Sequence, residues 1–220
     1  MSKSFLADMN PQMDRPLFVV LSLRRIIQGD ALTLSVFVNM SDKKSDTLAL
    51  KSFFAFLTIF LIIADQFIKR AVTFNMDLYQ QINVIPVFFS IFYCVNTGSA
   101  FSFLADKAWG IYVLSGVSVL IGTVIFLLMF VAVHNRLKAM SVALCLIAGG
   151  AYGNLIDRFS LKYVIDYLRF DFGTYTFPIF NFADICAVVG TILFVLIILF
   201  GKDEFDNFWN AVRKIFKRNA

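Results

Sequence analysis

The longest apolar run in the chain extends from Trp109 to Val133 without a formal charge, more than the roughly 20 residues a bilayer demands of a helix. A second, from Ala139 to Ile156, contains Gly149-Gly150-Ala151-Tyr152-Gly153, small residues that let membrane helices approach closely. A third covers about Phe182 to Phe200 with one acid, Asp184, at its start. A fourth comes first in the chain, from Leu48 to Ile68, and reaches spanning length only with Lys51 and Asp65 inside it. Lys51 can snorkel, and Asp65 and Lys69, at i and i+4 on a helix, meet and partly neutralise each other as a structural pair.

Between the spans the pattern changes. Ile82-Asn83-Val84-Ile85-Pro86 and Phe88 to Val95 are rich in branched and aromatic residues and end at the turn-forming Asn96-Thr97-Gly98, which predicts a small sheet lying on the membrane. Residues 157–181 are expected to form a second connector, with Phe177-Pro178-Ile179 as a rigid turn ahead of the last span. After Gly201, Phe205, Phe208, Trp209, Val212 and Phe216 recur among charges at helical spacing. That tail either lies along the inner membrane surface or is solvated and frayed.

Composition supports the same architecture. Of 220 residues, 59% are hydrophobic and 16% charged, more apolar surface than one soluble core of this length buries. The expected fold is an all-α integral membrane protein, a four-helix transmembrane bundle with a small extracytoplasmic β-sheet. The formal net charge of +5 is scattered among apolar segments and forms no stripe interleaved with aromatics, so no nucleic-acid partner is expected. The basic residues act instead as topology signals. Lys43, Lys44 and Lys51 precede the first span, Arg136 and Lys138 fill the connector after Val133, and Lys202, Arg213, Lys214, Lys217 and Arg218 follow the last span. This bias places both termini in the cytoplasm and the other two connectors outside.

Three regions are expected along the chain: an N-terminal extension of unknown role over 1–39, a four-span domain over 40–200 and an amphipathic cytoplasmic tail over 201–220. Met40-Ser41-Asp42-Lys43-Lys44 resembles an ordinary start ahead of a first span. The upstream stretch is therefore expected to be an extension before an alternative start at Met40.

The single histidine, His134, sits among charges in a connector, and Cys94, Cys145 and Cys186 are widely spaced in apolar sequence. Neither a catalytic zinc set nor a disulfide framework can be assembled from them, and the cysteines are expected to pack as small hydrophobes. Chemistry falls to the acids, which are costly to hold at the edge of apolar spans. Asp157, followed by Arg158 and preceded by Asn154, is expected to stay ionised beside that cation and to act as a structural anchor. Asp166 and Asp184 are flanked by Ile165, Tyr167, Ala183 and Ile185, where desolvation raises a carboxyl pKa, although Lys162 could reach Asp166 if the connector were helical. They are the candidate pair, one activating a water as general base and the other acting as general acid, with no metal.

The ordered motifs Asn96-Thr97-Gly98-Ser99-Ala100-Phe101, Gly153-Asn154-Leu155-Ile156-Asp157-Arg158 and Phe180-Asn181-Phe182-Ala183-Asp184 resemble those of the lipoprotein signal peptidases, the signal peptidase II family. Ala64-Asp65-Gln66-Phe67-Ile68-Lys69 and Val164-Ile165-Asp166-Tyr167 resemble two further segments of that family, and the likeness covers about residues 50 to 200. It implies an aspartic endopeptidase of the bacterial cytoplasmic (inner) membrane, without cofactor, that cleaves diacylglyceryl-modified prolipoproteins before the lipidated cysteine at the extracytoplasmic face. Membrane lipids are the other expected partner. By position, Asp166 and Asp184 take the catalytic places. Asn96, Gly98, Asn154, Asp157, Arg158, Asn181 and Ala183 take substrate-binding or dyad-orienting places, and Asp65 and Lys69 give polar support. Cys94-Val95 departs from the pattern, which has a polar or acidic residue before the asparagine.

Two other classes fit less well. A transporter or proton channel gathers acids near the midplane and shows repeats or broken helices, whereas here the acids gather at one face. A non-enzymatic scaffold leaves Asp166 and Asp184 without a purpose.

Overall fold

Four helices long and apolar enough to cross a membrane organise the computed structural model, which describes residues 31–97 and 110–218. Helix α1 is Ala31–Asn75, with its spanning part at Ser45–Asn75. Strands β1 (Gln81–Ile85) and β2 (Phe89–Asn96) follow. Helices α2 (Gly110–His134) and α3 (Lys138–Ser160) are joined by a short turn. Strands β3 (Val164–Phe172) and β4 (Tyr175–Thr176) precede α4 (Phe182–Phe200) and α5 (Lys202–Arg218). The chain divides into two units, Met1–Ala49 and Leu50–Ala220. Of the first, the described residues are helical from Ala31. The second holds everything discussed below.

The first helix continues to Asn75, beyond the Ile68 expected from hydropathy, because Val72 and Met76 bury apolar side chains against Ile165 and Tyr167. The first connector therefore begins later than residue 71. Along α1, Phe53, Phe56, Phe60, Ile63 and Phe67 form an exposed stripe at helical spacing, the surface a bilayer would cover. Helix α3 is central, with 61% of its apolar window buried against 11% to 22% for the other three spans.

Small residues make that central position possible. A Cβ added at Gly150 would collide with the Ala183 carbonyl oxygen, and one at Gly190 would lie 2.8 Å from the Ala143 carbonyl oxygen, so α3 and α4 touch backbone to backbone. Gly150→Ala is expected to destabilise the bundle by about 1–3 kcal/mol through overpacking. Gly116→Ala, where an added Cβ meets nothing within 4 Å, is expected to leave stability unchanged or slightly raised. Thermal unfolding of both variants in detergent, side by side, checks the contrast.

The small sheet predicted from the first connector also takes in the second connector. Strand β2 pairs antiparallel with β1 and also with β3, in the register Ser90↔Arg169, Cys94↔Asp166 and Asn96↔Val164. The second connector thus supplies a central strand where the sequence suggested a loop or helix. Val164, Ile165, Asp166 and Tyr167 are all buried, so the segment lacks the alternation that marks a half-buried strand. Lys162 does not reach Asp166. Its ammonium donates to the Phe159 carbonyl and lies 5.6 Å from the centre of the Tyr112 ring. The segment before α4 is held by Phe177 N–H donating to Phe170 O at 2.9 Å and by the bridge between Leu168 and Phe180.

Candidate active site

The start of α4 is the focus of the site. The first backbone N–H groups of any helix lack intrahelical acceptors, and near a bilayer each one left unsatisfied is costly. Here every one is answered. Phe182 N–H donates to the Tyr167 hydroxyl at 3.1 Å, Ala183 N–H to Asp65 Oδ1 at 2.9 Å, and Asp184 N–H to Asn181 Oδ1 at 3.0 Å. The Asn181 N–H donates back to Asp184 Oδ2 at 3.1 Å. Asn181 and Asp184 form a reciprocal capping box, which fixes the Asp184 carboxylate at the positive end of the helix dipole.

Beneath this cap lies a buried ionic cluster. Lys69, 1% exposed, donates to Asp65 Oδ2 at 2.8 Å, Asp157 Oδ2 at 2.9 Å and Asn154 Oδ1 at 2.9 Å, using all three ammonium hydrogens. Asp157 also accepts from Gln66 Nε2 at 2.7 Å and from the Ile165 N–H at 3.2 Å. That one carboxylate joins α1, α3 and β3. Its hydrogen-bonded cation is therefore Lys69, where Arg158 was expected, and Arg158 acts on it only electrostatically. Adjacent helical side chains point about 100° apart, so residues at i and i+1 do not face each other.

The two asparagines carry this order upward to the candidate pair. Because an ammonium can only donate, the atom of Asn154 that faces Lys69 must be its oxygen, and its Nδ2 then points to Asp184 Oδ1 at 2.8 Å. By the same logic Asn181 Oδ1 faces the Asp184 N–H, and its Nδ2 donates to Asp166 Oδ1 at 2.7 Å and to Asn154 Oδ1 at 3.0 Å. Asp166 Oδ2 accepts from Asn96 Nδ2 at 3.1 Å. Asp166 and Asp184 are thereby tied into one amide-linked cluster.

Burial pushes the Asp166 carboxyl up to about 7, and the nearby Asp184 charge adds to the shift against the hydrogen bonds from Asn96 and Asn181. Asp166 thus keeps a proton at a pH where a solvated aspartate has lost it. Cys94, opposite Asp166 in the sheet, is half-buried. Burial, then the Asp166 charge, pushes its thiol up to about 12, which keeps it protonated and a poor nucleophile. Cys145 and Cys186 are buried. Arg158 is partly buried, and its Nε has no hydrogen-bond partner among the described residues. It interacts electrostatically with Asp184, Asp166 and Asp157.

The structure thus brings Asp65, Lys69, Asn96, Asn154, Asp157, Arg158, Asp166, Asn181, Ala183 and Asp184 to one end of the spans. Gly98, with Ser99, Ala100 and Phe101, lies outside the described residues. Sequence reasoning gave no role to Gln66 or Tyr167, the first bonded to Asp157 and the second to the α4 cap. Each sits beside a motif acid, and a hydrogen-bonding side chain in an apolar segment is the signal that points to them.

Residues 57–200 match the family described as signal peptidase (SPase) II. The lipoprotein signal peptidase of Symbiobacterium thermophilum is 40% identical over 144 residues, 65% of this chain and 92% of that protein. That of Listeria monocytogenes serotype 4b (strain F2365) is 37% identical over 152 residues, 69% of this chain and 96% of the relative. A solved bacterial membrane enzyme, determined by the in meso method at 2.3 Å resolution, superposes with a TM-score of 0.59 at 29% identity, covering 67% of this chain and 88% of that one. Four candidate spans, a small antiparallel sheet and these matches agree: the chain belongs to the signal peptidase II family of multi-pass membrane proteases.

Proposed function

We propose that the chain is an aspartic endopeptidase that removes signal peptides from diacylglyceryl-modified prolipoproteins, cutting before the lipidated cysteine with Asp166 and Asp184 as its dyad. The observation that carries this reading is the single hydrogen-bonded cluster in which Asn154 and Asn181 hold both carboxyls, with Asp166 retaining its proton to about pH 7.

In this mechanism Asp184 takes a proton from a water whose oxygen attacks the scissile carbonyl carbon, while Asp166 gives its proton to the carbonyl oxygen. The resulting diol collapses as the C–N bond breaks. The leaving nitrogen takes the proton from Asp184, and a diol hydroxyl returns one to Asp166. Arg158, charged beside the acids, would hold a substrate backbone carbonyl. Asn96 would orient Asp166, and Asp65 and Lys69 would hold the cap and the amides in place. The diacylglyceryl anchor would keep the scissile bond at the depth of the dyad, so that orientation supplies rate.

Helix α3 begins at Lys138, beside the connector that holds Arg136, and ends at the site. With that connector cytoplasmic, the dyad faces the extracytoplasmic side. Purified protein in detergent is expected to cut a diacylglyceryl-modified prolipoprotein in the presence of a chelator and to leave the unlipidated form intact. Cleavage lost on chelation would overturn the metal-free dyad, and equal cleavage of both forms would overturn the lipid-anchored substrate.

The pH profile follows from the Asp166 shift. An ordinary aspartate titrates near 3.8, whereas Asp166 holds its proton to about 7, so the singly protonated dyad persists up to that pH and is lost above it. The logarithm of kcat/KM is expected to fall with unit slope as pH rises beyond about 7. A flat profile to pH 9 would remove Asp166 as the acid.

A further inference from the structure

The family match ends at residue 200, and α5 lies beyond it. The helix is not a loose tail. Phe208 and Val212 are buried in the core formed with Met129, Val133, Met140 and Ile197. Glu204 Oε1 accepts from the Met140 N–H at 2.9 Å, at the amino end of α3, where Leu137 offers no side-chain cap. These contacts fix which edge of α5 faces outward.

That edge is apolar and basic together. Trp209 is 45% exposed and Phe216 73% exposed, and the Arg213 guanidinium lies 5.2 Å from the centre of the Trp209 ring. From Asn207 to the last residue the chain carries Arg213, Lys214, Lys217 and Arg218 and no acid. Leu199 and Phe200, at the end of the last span, are also exposed, and α5 begins two residues later at Lys202, so the helix starts at the bilayer boundary. Aromatic rings flanked by cations fit an interface of acyl chains below and negative headgroups above.

We propose that α5 is a latched interfacial helix whose Trp209–Phe216 edge, with Arg213, Lys214, Lys217 and Arg218, binds anionic lipid headgroups. The proposal does not depend on the cleavage chemistry. An acidic protein partner would use the same charges but would leave Trp209 and Phe216 outside the acyl region.

The test uses the full chain carrying Trp109→Phe, which leaves Trp209 as the one tryptophan, in nanodiscs of phosphatidylcholine with increasing phosphatidylglycerol and shallowly brominated acyl chains. Trp209 fluorescence is expected to be quenched more as phosphatidylglycerol increases, and added salt is expected to reverse the gain. Lys214→Gln, Lys217→Gln and Arg218→Gln are each expected to raise the phosphatidylglycerol fraction needed for half-maximal quenching by about fivefold. The Lys214 and Lys217 side chains are exposed, so thermal unfolding of those two variants should be unchanged. Unquenched Trp209 in every disc, or quenching indifferent to both phosphatidylglycerol and the three charges, would overturn the proposal.

Discussion

Asp166→Asn and Asp184→Asn are each expected to lower kcat by about 10³-fold or more, within the range for removing a general acid or base. The double variant is expected to lose little beyond either single one, since the two groups act as a unit. An asparagine cannot reproduce the hydrogen bonds of either acid. Asp166 accepts an amide N–H on each oxygen, from Asn181 and Asn96, and Asp184 accepts from Asn154 and from the Asn181 backbone. Whichever way the new amide turns, one donor meets a donor, at a cost of about 1–3 kcal/mol. The comparison therefore pairs cleavage of lipidated prolipoprotein with thermal unfolding. Folded variants without activity support the dyad, and a folded variant with wild-type activity removes that residue from catalysis.

Lys69→Met is expected to be the most damaging change for stability. It leaves the Asp65 and Asp157 carboxylates buried without their cation, and removing one partner of a buried ion pair costs about 3–5 kcal/mol. Asn154 would also lose the donor that orients its amide toward Asp184, so the surviving folded fraction should have reduced kcat. Adding Asp157→Asn to Lys69→Met relieves one of the two uncompensated charges and is expected to recover part of the stability without recovering activity. Denaturant unfolding in detergent reads the first effect and the prolipoprotein assay the second. A Lys69→Met protein as stable as wild type would show that the cluster is not held by this ammonium.

Much of the site is legible in the chain because its members sit in short local patterns. Asn181 and Asp184 are three residues apart and build a capping box, and Asp65 and Lys69 are a helical turn apart and pair. Those contacts follow from helix geometry alone. The cation of Asp157 could not be found that way. It comes from 88 positions earlier in the chain, whereas the neighbour Arg158 acts on Asp157 only electrostatically. Strand β3 was hidden for a related reason. Both its faces are covered near Asp166, and the periodicity that identifies a strand depends on one face meeting water.

The sequence by itself determined the four apolar spans, a small sheet in the first connector, and which acids stand at the ends of spans, because span length, strand-forming composition and the cost of charge in an apolar run are local properties. The tertiary structure decided what those acids touch. It placed Lys69 between two carboxylates, gave Asn154 and Asn181 their amide orientations, raised Asp166 by burial beside Asp184, and docked α5 on the core. Each of these depends on which helices lie side by side, and that is set by the close approach of α3 and α4 at Gly150 and Gly190; the glycine-rich stretch announces a close approach, but no single stretch of sequence names the partner.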